Sequence, residues 1–369
     1  MPAQAFSDPD AVRLEAEAWG RALVAGGGKL VGVVTASAPF ELIAAAGMAA
    51  MELSAGDVTQ TPRADEMMET LFHPPIRGLL ERTLRGDFAH LSAIVLPRTG
   101  DAPHRLYYYL CELERTGVTV PRPLLFDVTQ TPGAASEAYT AQALVHLWHQ
   151  LRAVAGSSAG DVELRSTIVA FNRRRALLGQ LADRRRKAPL PGAQALAAFM
   201  ASRMLPDDTF EQGLTALLSA PATPAGPRIV IAGSSHDDSG LHRLIEAAGG
   251  CVVGDAHGAG EPSIGDPIDT TRTPMEALAT HYRATRAGAR AFRDAGADIL
   301  AFANAARADG VIFSYFAEEE ALTWDYPEQA VALAGAGIAA IRLGPQTRPF
   351  DWAGQAEIKT FIGSLGAAR

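Results

Sequence analysis

Short apolar runs alternate along the chain with longer stretches in which apolar residues recur every three or four positions. The first of these stretches covers residues 9–25, where Val12, Trp19 and Leu23 share one helical face. It ends at three consecutive glycines, which stop a helix. An apolar run at 30–34 follows directly and predicts a buried strand.

The rest of the first half continues this alternation. The pattern predicts further elements: strands at 51–53, 92–97 and 123–128, and helices at 40–47, 75–85, 104–115 and 138–154. Because strands alternate with helices, neighbouring strands should run parallel in a sheet that helices cover. We therefore expect an α/β fold for this half.

The second half repeats the alternation of strands and helices after a stretch that is helical only. Residues 161–218 hold no strand-like run and predict two or three helices, and the Pro- and Ala-rich stretch 220–227 is typical of a linker. Beyond the linker the pattern predicts two sets of elements: strands at 228–233, 251–253, 310–313 and 337–341, and helices at 240–248 and 274–295. The expected architecture is two Rossmann- or flavodoxin-like parallel-sheet lobes with a helical segment between them. The expected units are an N-terminal helix at 1–28, a first lobe at 29–160, the helical segment and linker at 161–226, and a second lobe at 227–369.

Composition excludes several classes of protein. The 369 residues are 48% hydrophobic, which is enough for real cores, and the net charge of −8 argues against nucleic acid as a partner. Two cysteines cannot form a disulfide framework, a structural zinc site or a complete iron–sulfur site by themselves. With no signal peptide and no run of roughly eighteen apolar residues, we expect a cytoplasmic protein with reduced thiols and no membrane partner.

Small polar residues follow the first predicted strand of each half, at 35–39 and 233–236. In open parallel sheets ligands bind at the carboxyl ends of the strands, so both loops are candidates for facing a ligand, although helix capping explains them equally well. Neither loop completes a dinucleotide-binding or P-loop motif, and the chain has no HExxH or paired CxxC spacing. The residues alone therefore predict a two-lobed α/β protein with a ligand cleft between the lobes.

Histidine and arginine side chains have ordinary structural interpretations in this sequence. His73, His104 and His236 fall near strand ends or loops, where a lone histidine is more often a surface or capping residue than a ligand. The arginine runs at 173–175 and 184–187 are interpreted as the solvated face of a long helix, with contact to coenzyme phosphates as the weaker alternative. The two cysteines are expected to be buried structural thiols.

Several segments, taken in order, resemble the D-component of the 2-hydroxyacyl-CoA dehydratase and benzoyl-CoA reductase family. Segment 37–47 is similar to that family's P-x-E opening, and segment 171–175 is similar to its Y-N-x-x-R helix. Further matching segments are 94–101, 228–233, 245–255, 309–312, 325–327 and 355–361. The resemblance spans roughly residues 30–365 and implies two α/β lobes with a cluster-binding cleft between them.

The resemblance also implies a cofactor and partners. In this family three cysteines hold a [4Fe–4S] cluster, which receives an electron from an ATP-hydrolysing activator protein and passes it to the thioester carbonyl of an acyl-CoA. Two homologous subunits form the working unit. This chain departs from the pattern at all three cysteine positions, which hold His73, Gly100 and Ala317. We therefore expect no cofactor or metal in this chain, a [4Fe–4S] cluster in a homologous partner subunit, and an activator ATPase as a further partner.

The resemblance further suggests which residues face an acyl-CoA. Ser37 and Glu52, at strand ends of the first lobe, are predicted to be catalytic, and Ser234, Ser235 and His236 of the second lobe are predicted to bind the substrate. An unpaired Glu52 in a dry cleft would have a raised pKa and could exchange a proton with the ligand, whereas a solvated Glu52 would be an ordinary strand-end residue.

The expected function is that of a subunit of a 2-hydroxyacyl-CoA dehydratase or benzoyl-CoA reductase type complex, which acts as a lyase or an oxidoreductase. Within the complex this chain would be a cluster-free structural or acyl-CoA-binding partner of a cluster-bearing subunit. Two alternatives stay open. One is a non-catalytic scaffold or regulatory paralogue, and the other is a cluster-free enzyme that uses the cleft for acid–base chemistry.

Overall fold

The computed structural model describes residues 6–69, 72–129, 131–223, 225–284, 293–347 and 354–367. Each half of the chain forms one four-stranded sheet in which neighbouring strands are parallel. The strands are β1 (Leu30–Val33), β2 (Ala49–Glu52), β3 (Ala93–Pro97) and β4 (Arg122–Phe126) in the first sheet, and β5 (Arg228–Gly233), β6 (Cys251–Ala256), β7 (Gly310–Ser314) and β8 (Ala339–Arg342) in the second. The strand orders, β2-β1-β3-β4 and β6-β5-β7-β8, are equivalent. The predicted α/β fold with two parallel-sheet lobes is confirmed.

Helices pack against the first sheet as the alternating pattern predicts. They are α1 (Pro9–Ala25), α2 (Phe40–Ala45), α3 (Pro62–Asp65), α4 (Pro74–Arg85), α5 (Asp101–Arg115) and α6 (Ala134–Ala155). Strands β1 and β3, in the middle of this sheet, are buried at every residue, which explains why they appear in the sequence as continuous apolar runs. Helix α1 begins where the Asp8 side chain accepts a hydrogen bond from the Asp10 N–H, and it ends at Gly26.

Three helices connect the lobes: α7 (Asp161–Lys187), α8 (Gly192–Met204) and α9 (Asp207–Leu218). In α8 every residue from Ala195 to Met204 is buried. This helix contacts α1 and β2 of the first half and β6 of the second. The Ala-rich composition of α8 lets its neighbours approach closely, so α8 packs between the two sheets, against β2 on one side and β6 on the other.

The described part of the second lobe contains four α-helices that the sequence pattern missed, α12 to α15 in the list that follows. Its helices are α10 (Gly240–Ala247), α11 (Pro274–Ala284), α12 (Ala295–Ala306), α13 (Glu320–Thr323), α14 (Tyr326–Gly335) and α15 (Gln355–Ala367). The single helix predicted over 274–295 is wrong at its end, because Asp294 is extended and its side chain caps α12 by accepting from the Ala297 N–H at 2.7 Å. Residues 285–292 lie outside the described residues. Within the described part of the chain, no helix is both long and apolar enough to cross a membrane.

Part of the second half packs on the first lobe. Ile268, Leu278 and Tyr282 belong to the same apolar cluster as Val31 and Val95 of the first sheet. Helix α11, which carries two of these side chains, lies against α6. The two lobes therefore share a core at this place, and the boundary predicted at 226/227 stays a prediction.

The interpretation of the arginine runs as a solvated helix face is wrong for Arg175 and Arg185. Arg185 is fully buried, and its Nη1 lies 2.9 Å from Oδ2 of Asp255 in β6. The Arg175 Nη2 lies 2.5 Å from Oε1 of Glu41 in α2. Arg173, in contrast, is mostly exposed. Because α2 belongs to the first lobe and β6 to the second, α7 is attached to both lobes through buried ion pairs.

Candidate functional site

A cleft of about 1090 Å³ lies between the lobes, at the carboxyl ends of both sheets. In each sheet the strand order reverses between the two central strands, β1 and β3 in the first and β5 and β7 in the second. The loops that follow these four strands all contribute to the cleft wall. Such reversal points are where open α/β sheets bind ligands, so the topology alone makes this cleft the candidate site.

The three positions at which the resemblance implies cluster cysteines all line this cleft. His73 lies at the start of α4, Gly100 directly before α5, and Ala317 in the segment after β7. Cys111 lies on α5 and Cys251 at the start of β6, and neither belongs to the described cleft wall. An iron–sulfur cluster needs several thiolates, so the residues of this cleft do not fit a [4Fe–4S] cluster. Among the described residues there is also no group of three side chains suited to holding a metal ion.

His73 makes a contact across the cleft. Its Nε2 lies 3.2 Å from Oε1 of Glu319 in the second lobe, and its ring packs edge-on against Phe316 with 5.3 Å between centroids. Burial alone would raise the pKa of Glu319, but the neighbouring His73 and Ser234 side chains lower it below its ordinary value. The site therefore holds an imidazole next to an ionised carboxylate where the family pattern has a cysteine.

Ser37 and Glu52 both line the cleft, from the loop after β1 and the end of β2. Ser37 is buried. Glu52 is neither unpaired nor freely solvated, because its Oε2 accepts a hydrogen bond from the Nε of Arg203 on α8. Arg203 is itself fixed by the Ser263 hydroxyl at 2.8 Å. The predicted proton exchange by an unpaired Glu52 thus finds no support in this arrangement, and the catalytic roles of both residues stay predictions.

The three substrate-binding residues predicted in the second lobe occupy different environments. Ser235 lines the cleft. Ser234 is buried, and its hydroxyl accepts a hydrogen bond from the Phe316 N–H at 2.9 Å, so it ties the loop after β5 to the loop after β7. His236 is buried between the rings of His257 and Phe316, with 5.6 Å between centroids in each case, and does not belong to the described cleft wall. Substrate binding by these residues stays a prediction.

Thr35 is a cleft residue whose conformation the sequence did not reveal. It follows β1 with φ of 71°, a left-handed conformation that is rare for a β-branched residue. Its hydroxyl is buried and has no hydrogen-bond partner among the described residues. Gly233 ends the equivalent strand β5 with φ of 108°, where glycine adopts positive φ without strain. The loop after β1 thus stores strain at the cleft, which is typical of a functional site.

A buried polar network stands behind the second-lobe wall. The Asp255 Oδ1 lies 2.7 Å from Nε2 of His242, and its Oδ2 lies 2.9 Å from Nη1 of Arg185. Burial alone would raise the pKa of Asp255, but the positive charges of Arg185 and His242 hold it well below its ordinary value. His257, which lines the cleft, has its Nε2 3.7 Å from Asp255 Oδ1. The sequence pattern missed this network because the strand predicted at 251–253 stopped before Asp255.

The fold defines a two-lobed α/β protein with a cleft between two equivalent parallel sheets. Residues 35–357 match the family described as 2-hydroxyglutaryl-CoA dehydratase, D-component, and the chain therefore belongs to this family. A search of curated proteins found no match. The family assignment supports a subunit of a 2-hydroxyacyl-CoA dehydratase-type complex. It also confirms the resemblance seen in the sequence, and the Glu41–Arg175 ion pair joins two of the segments that carried that resemblance.

Proposed function

We propose that this chain is a cluster-free, acyl-CoA-binding subunit whose homologous partner carries the [4Fe–4S] cluster. The observation that carries the proposal is the composition of the cleft: His73, Gly100 and Ala317 all lie on its wall, and neither cysteine of the chain does. The family match supplies the reaction class, and a hetero-oligomer with a cluster-bearing homologue and an activator ATPase would supply the electron chemistry.

The chain's own side chains suit the binding of a polar acyl group. Hydroxyls from Ser37 and Ser235 reach the wall from opposite lobes, and either one could donate to a thioester carbonyl or accept from a substrate hydroxyl. Apolar side chains such as Leu79 and Ile299 line the same cleft and would contact the hydrocarbon part of the ligand. In this proposal the chain binds and orients the acyl-CoA and shields it from water.

Iron analysis tests the cofactor part of the proposal. The chain is purified anaerobically alone and together with a cysteine-bearing homologous subunit from the same organism, and iron and visible absorbance are measured. We expect no bound iron in the isolated chain and one cluster in the complex, bound by the partner. A stoichiometric [4Fe–4S] cluster on the isolated chain would overturn the proposal, because this chain would then find ligands that the family cysteines do not provide.

Calorimetric titration of the complex with CoA esters tests the binding part. Loss of one hydrogen bond to the ligand costs about 1 kcal/mol, so Ser37→Ala should weaken binding about fivefold. Ser166→Ala, on the exposed face of α7, is the matched control and should leave affinity unchanged. Equal affinities of the two variants would remove Ser37 from the site, and an absence of binding to any CoA ester would favour the scaffold alternative.

The contact between His73 and Glu319 favours a second candidate, a cluster-free enzyme that performs acid–base chemistry. An imidazole next to an ionised carboxylate can accept a proton from the carbon adjacent to a thioester. The isolated chain is incubated with a CoA ester in D₂O, and deuterium at that carbon is followed by NMR. Exchange that His73→Gln abolishes and His104→Gln preserves would support this candidate. No exchange above the rate without protein would exclude it.

A further inference from the structure

Arg203 is the one buried arginine among the described residues of the cleft wall. Its side chain is 7% exposed, whereas the side chains of Arg105 and Arg293 are 49% and 26% exposed. Met200 and Met204, on the same helix, are also buried and line the cleft. A cation in such an apolar wall attracts an anionic group strongly, because little water screens the charge. Arg203 is therefore where a negatively charged end of an acyl group would be expected to bind.

The protein itself already occupies the guanidinium of Arg203. Its Nε donates to Oε2 of Glu52 at the end of β2. Its Nη1 donates to the Ser263 hydroxyl at 2.8 Å and to the Phe199 carbonyl at 2.9 Å, and its Nη2 donates to the Ala259 carbonyl at 3.2 Å. Four of the five N–H groups are thus engaged, and Glu52 neutralises the charge. While these contacts persist, a ligand carboxylate cannot form the paired hydrogen bonds by which arginine recognises carboxylates.

The rest of the described cleft wall is unfavourable for an anionic acyl group. The wall has eight acidic side chains, three arginines and no lysine. The two arginines other than Arg203 are paired as well, Arg105 with Asp101 at 2.9 Å and Arg293 with Asp298 at 2.6 Å. A carboxylate on the acyl group would lose hydration and meet like charges, with no unpaired arginine or lysine among the described wall residues to compensate. An uncharged acyl group incurs neither cost.

We propose that Glu52 determines specificity: by holding Arg203, it restricts the cleft to CoA esters whose acyl group carries no charge. This inference rests on the proposed function, because it names the acyl group of the CoA ester postulated there. The Glu52 carboxylate takes the place beside Arg203 that the carboxylate of a dicarboxylic acyl group would otherwise occupy. Removal of the negative charge of Glu52 should therefore make Arg203 available to such a ligand.

Calorimetric titration of the complex with three CoA esters of equal acyl length tests the specificity. Pentanoyl-CoA ends in a methyl group, glutaramoyl-CoA in a carboxamide and glutaryl-CoA in a carboxylate. The carboxamide has the size and polarity of the carboxylate without its charge, so the ratio of the Kd values of glutaryl-CoA and glutaramoyl-CoA isolates the effect of charge. We expect glutaryl-CoA to bind at least about tenfold more weakly than either uncharged ester.

Two variants of this chain test the role of Glu52. Glu52→Gln keeps a side-chain oxygen for the Arg203 Nε and removes the charge, so it should lower the Kd ratio of glutaryl-CoA to glutaramoyl-CoA by at least about tenfold. Glu320→Gln is the matched control, because Glu320 is an exposed acid that lines the same cleft. It removes one negative charge without freeing Arg203 and should change the ratio by less than about twofold. Circular dichroism verifies that both variants are folded.

The outcomes separate this inference from the proposed function. If glutaryl-CoA binds the unmodified complex as tightly as glutaramoyl-CoA, the specificity is wrong and the proposed function stands; this comparison needs no variant. If Glu52→Gln and Glu320→Gln lower the Kd ratio equally, the overall charge of the cleft sets the preference and the role of Glu52 is refuted. If none of the three esters binds, the proposed function itself fails and this inference fails with it.

Discussion

Replacement of Thr35 by glycine should stabilise this protein. A non-glycine residue at positive φ costs about 1–2 kcal/mol, and a buried hydroxyl without a partner costs a further 1–3 kcal/mol, roughly. Glycine removes both terms, but it costs about 1 kcal/mol in chain entropy and about 0.8 kcal/mol for the lost methyl contact. The balance favours Thr35→Gly by about 1 kcal/mol, which corresponds to a rise in Tm of about 2 °C for a chain of this size.

Differential scanning calorimetry of three variants tests this reasoning. Thr99→Gly is the matched control, because Thr99 follows the neighbouring strand β3, lines the same cleft and does not have a positive φ. It should lower stability by about 0.5–1 kcal/mol. Thr35→Ala removes the hydroxyl and keeps the strain, so its stability should fall below that of Thr35→Gly. If Thr35→Gly lowers Tm as much as Thr99→Gly does, the inference that Thr35 is strained is refuted. If the strain serves ligand binding, Thr35→Gly should also weaken the affinity of the complex for CoA esters.

Three further predictions concern buried groups. Arg185→Met should lower the free energy of unfolding in urea by about 3–5 kcal/mol, because it leaves Asp255 buried without its cation. The control Arg173→Met, on the exposed side of α7, should lower it by less than about 0.5 kcal/mol. Equal losses in the two variants would contradict the buried ion pair. Burial raises the pKa of Glu261 to about 7 despite the nearby Arg185 and Arg186. The contribution of Glu261 to the free energy of unfolding is therefore fully present below pH 4.5, the ordinary pKa of the group in the unfolded chain, and is lost as the pH rises to about 7. Glu261→Gln should flatten the stability profile in that window, whereas the exposed Glu114→Gln should not, and an unchanged slope in Glu261→Gln would contradict the shift. Burial raises the pKa of the Cys251 thiol, so a thiol reagent should modify Cys111 first, and rapid labelling of a native Cys111→Ala variant would show that Cys251 is not protected.

The sequence predicts the sheets well and some of the helices poorly, for a physical reason. Central strands in parallel sheets are buried on both faces, so β3 and β7 appear in the sequence as continuous apolar runs. Helices α12 and α14 are rich in alanine and glycine, and their apolar periodicity is weak. The cap at Asp294 was the available signal for α12, and only the structure shows that its side chain accepts the Ala297 N–H.

In the candidate site too, the sequence predicts some residues and misses others. Strand ends predict that Ser37, Glu52 and Ser235 meet in one cleft, because parallel strands place their carboxyl ends at one edge. The partner of Glu52 could not be predicted, because Arg203 lies on a helix about 150 residues away in a stretch without strand signals. The buried role of Arg185 was likewise hidden, since a charged residue in an arginine run is normally assigned to the surface.

Besides the shared core around Tyr282, side-chain contacts between described residues join the lobes behind the cleft and at the cleft itself. Helix α7 binds α2 through Arg175 and β6 through Arg185, which fixes both lobes to one rigid element behind the cleft. At the cleft itself, the Ser54 hydroxyl donates to Oδ2 of Asp237 at 2.8 Å, and His73 meets Glu319. The three positions at which the resemblance implies cluster cysteines are divided between the two lobes, with 73 and 100 in the first and 317 in the second. Here the position of one of those cysteines carries a histidine that reaches the opposite lobe, so side-chain contacts maintain the width of the cleft. Preservation of that width is what a subunit needs if it is to bind an acyl-CoA without carrying the cluster.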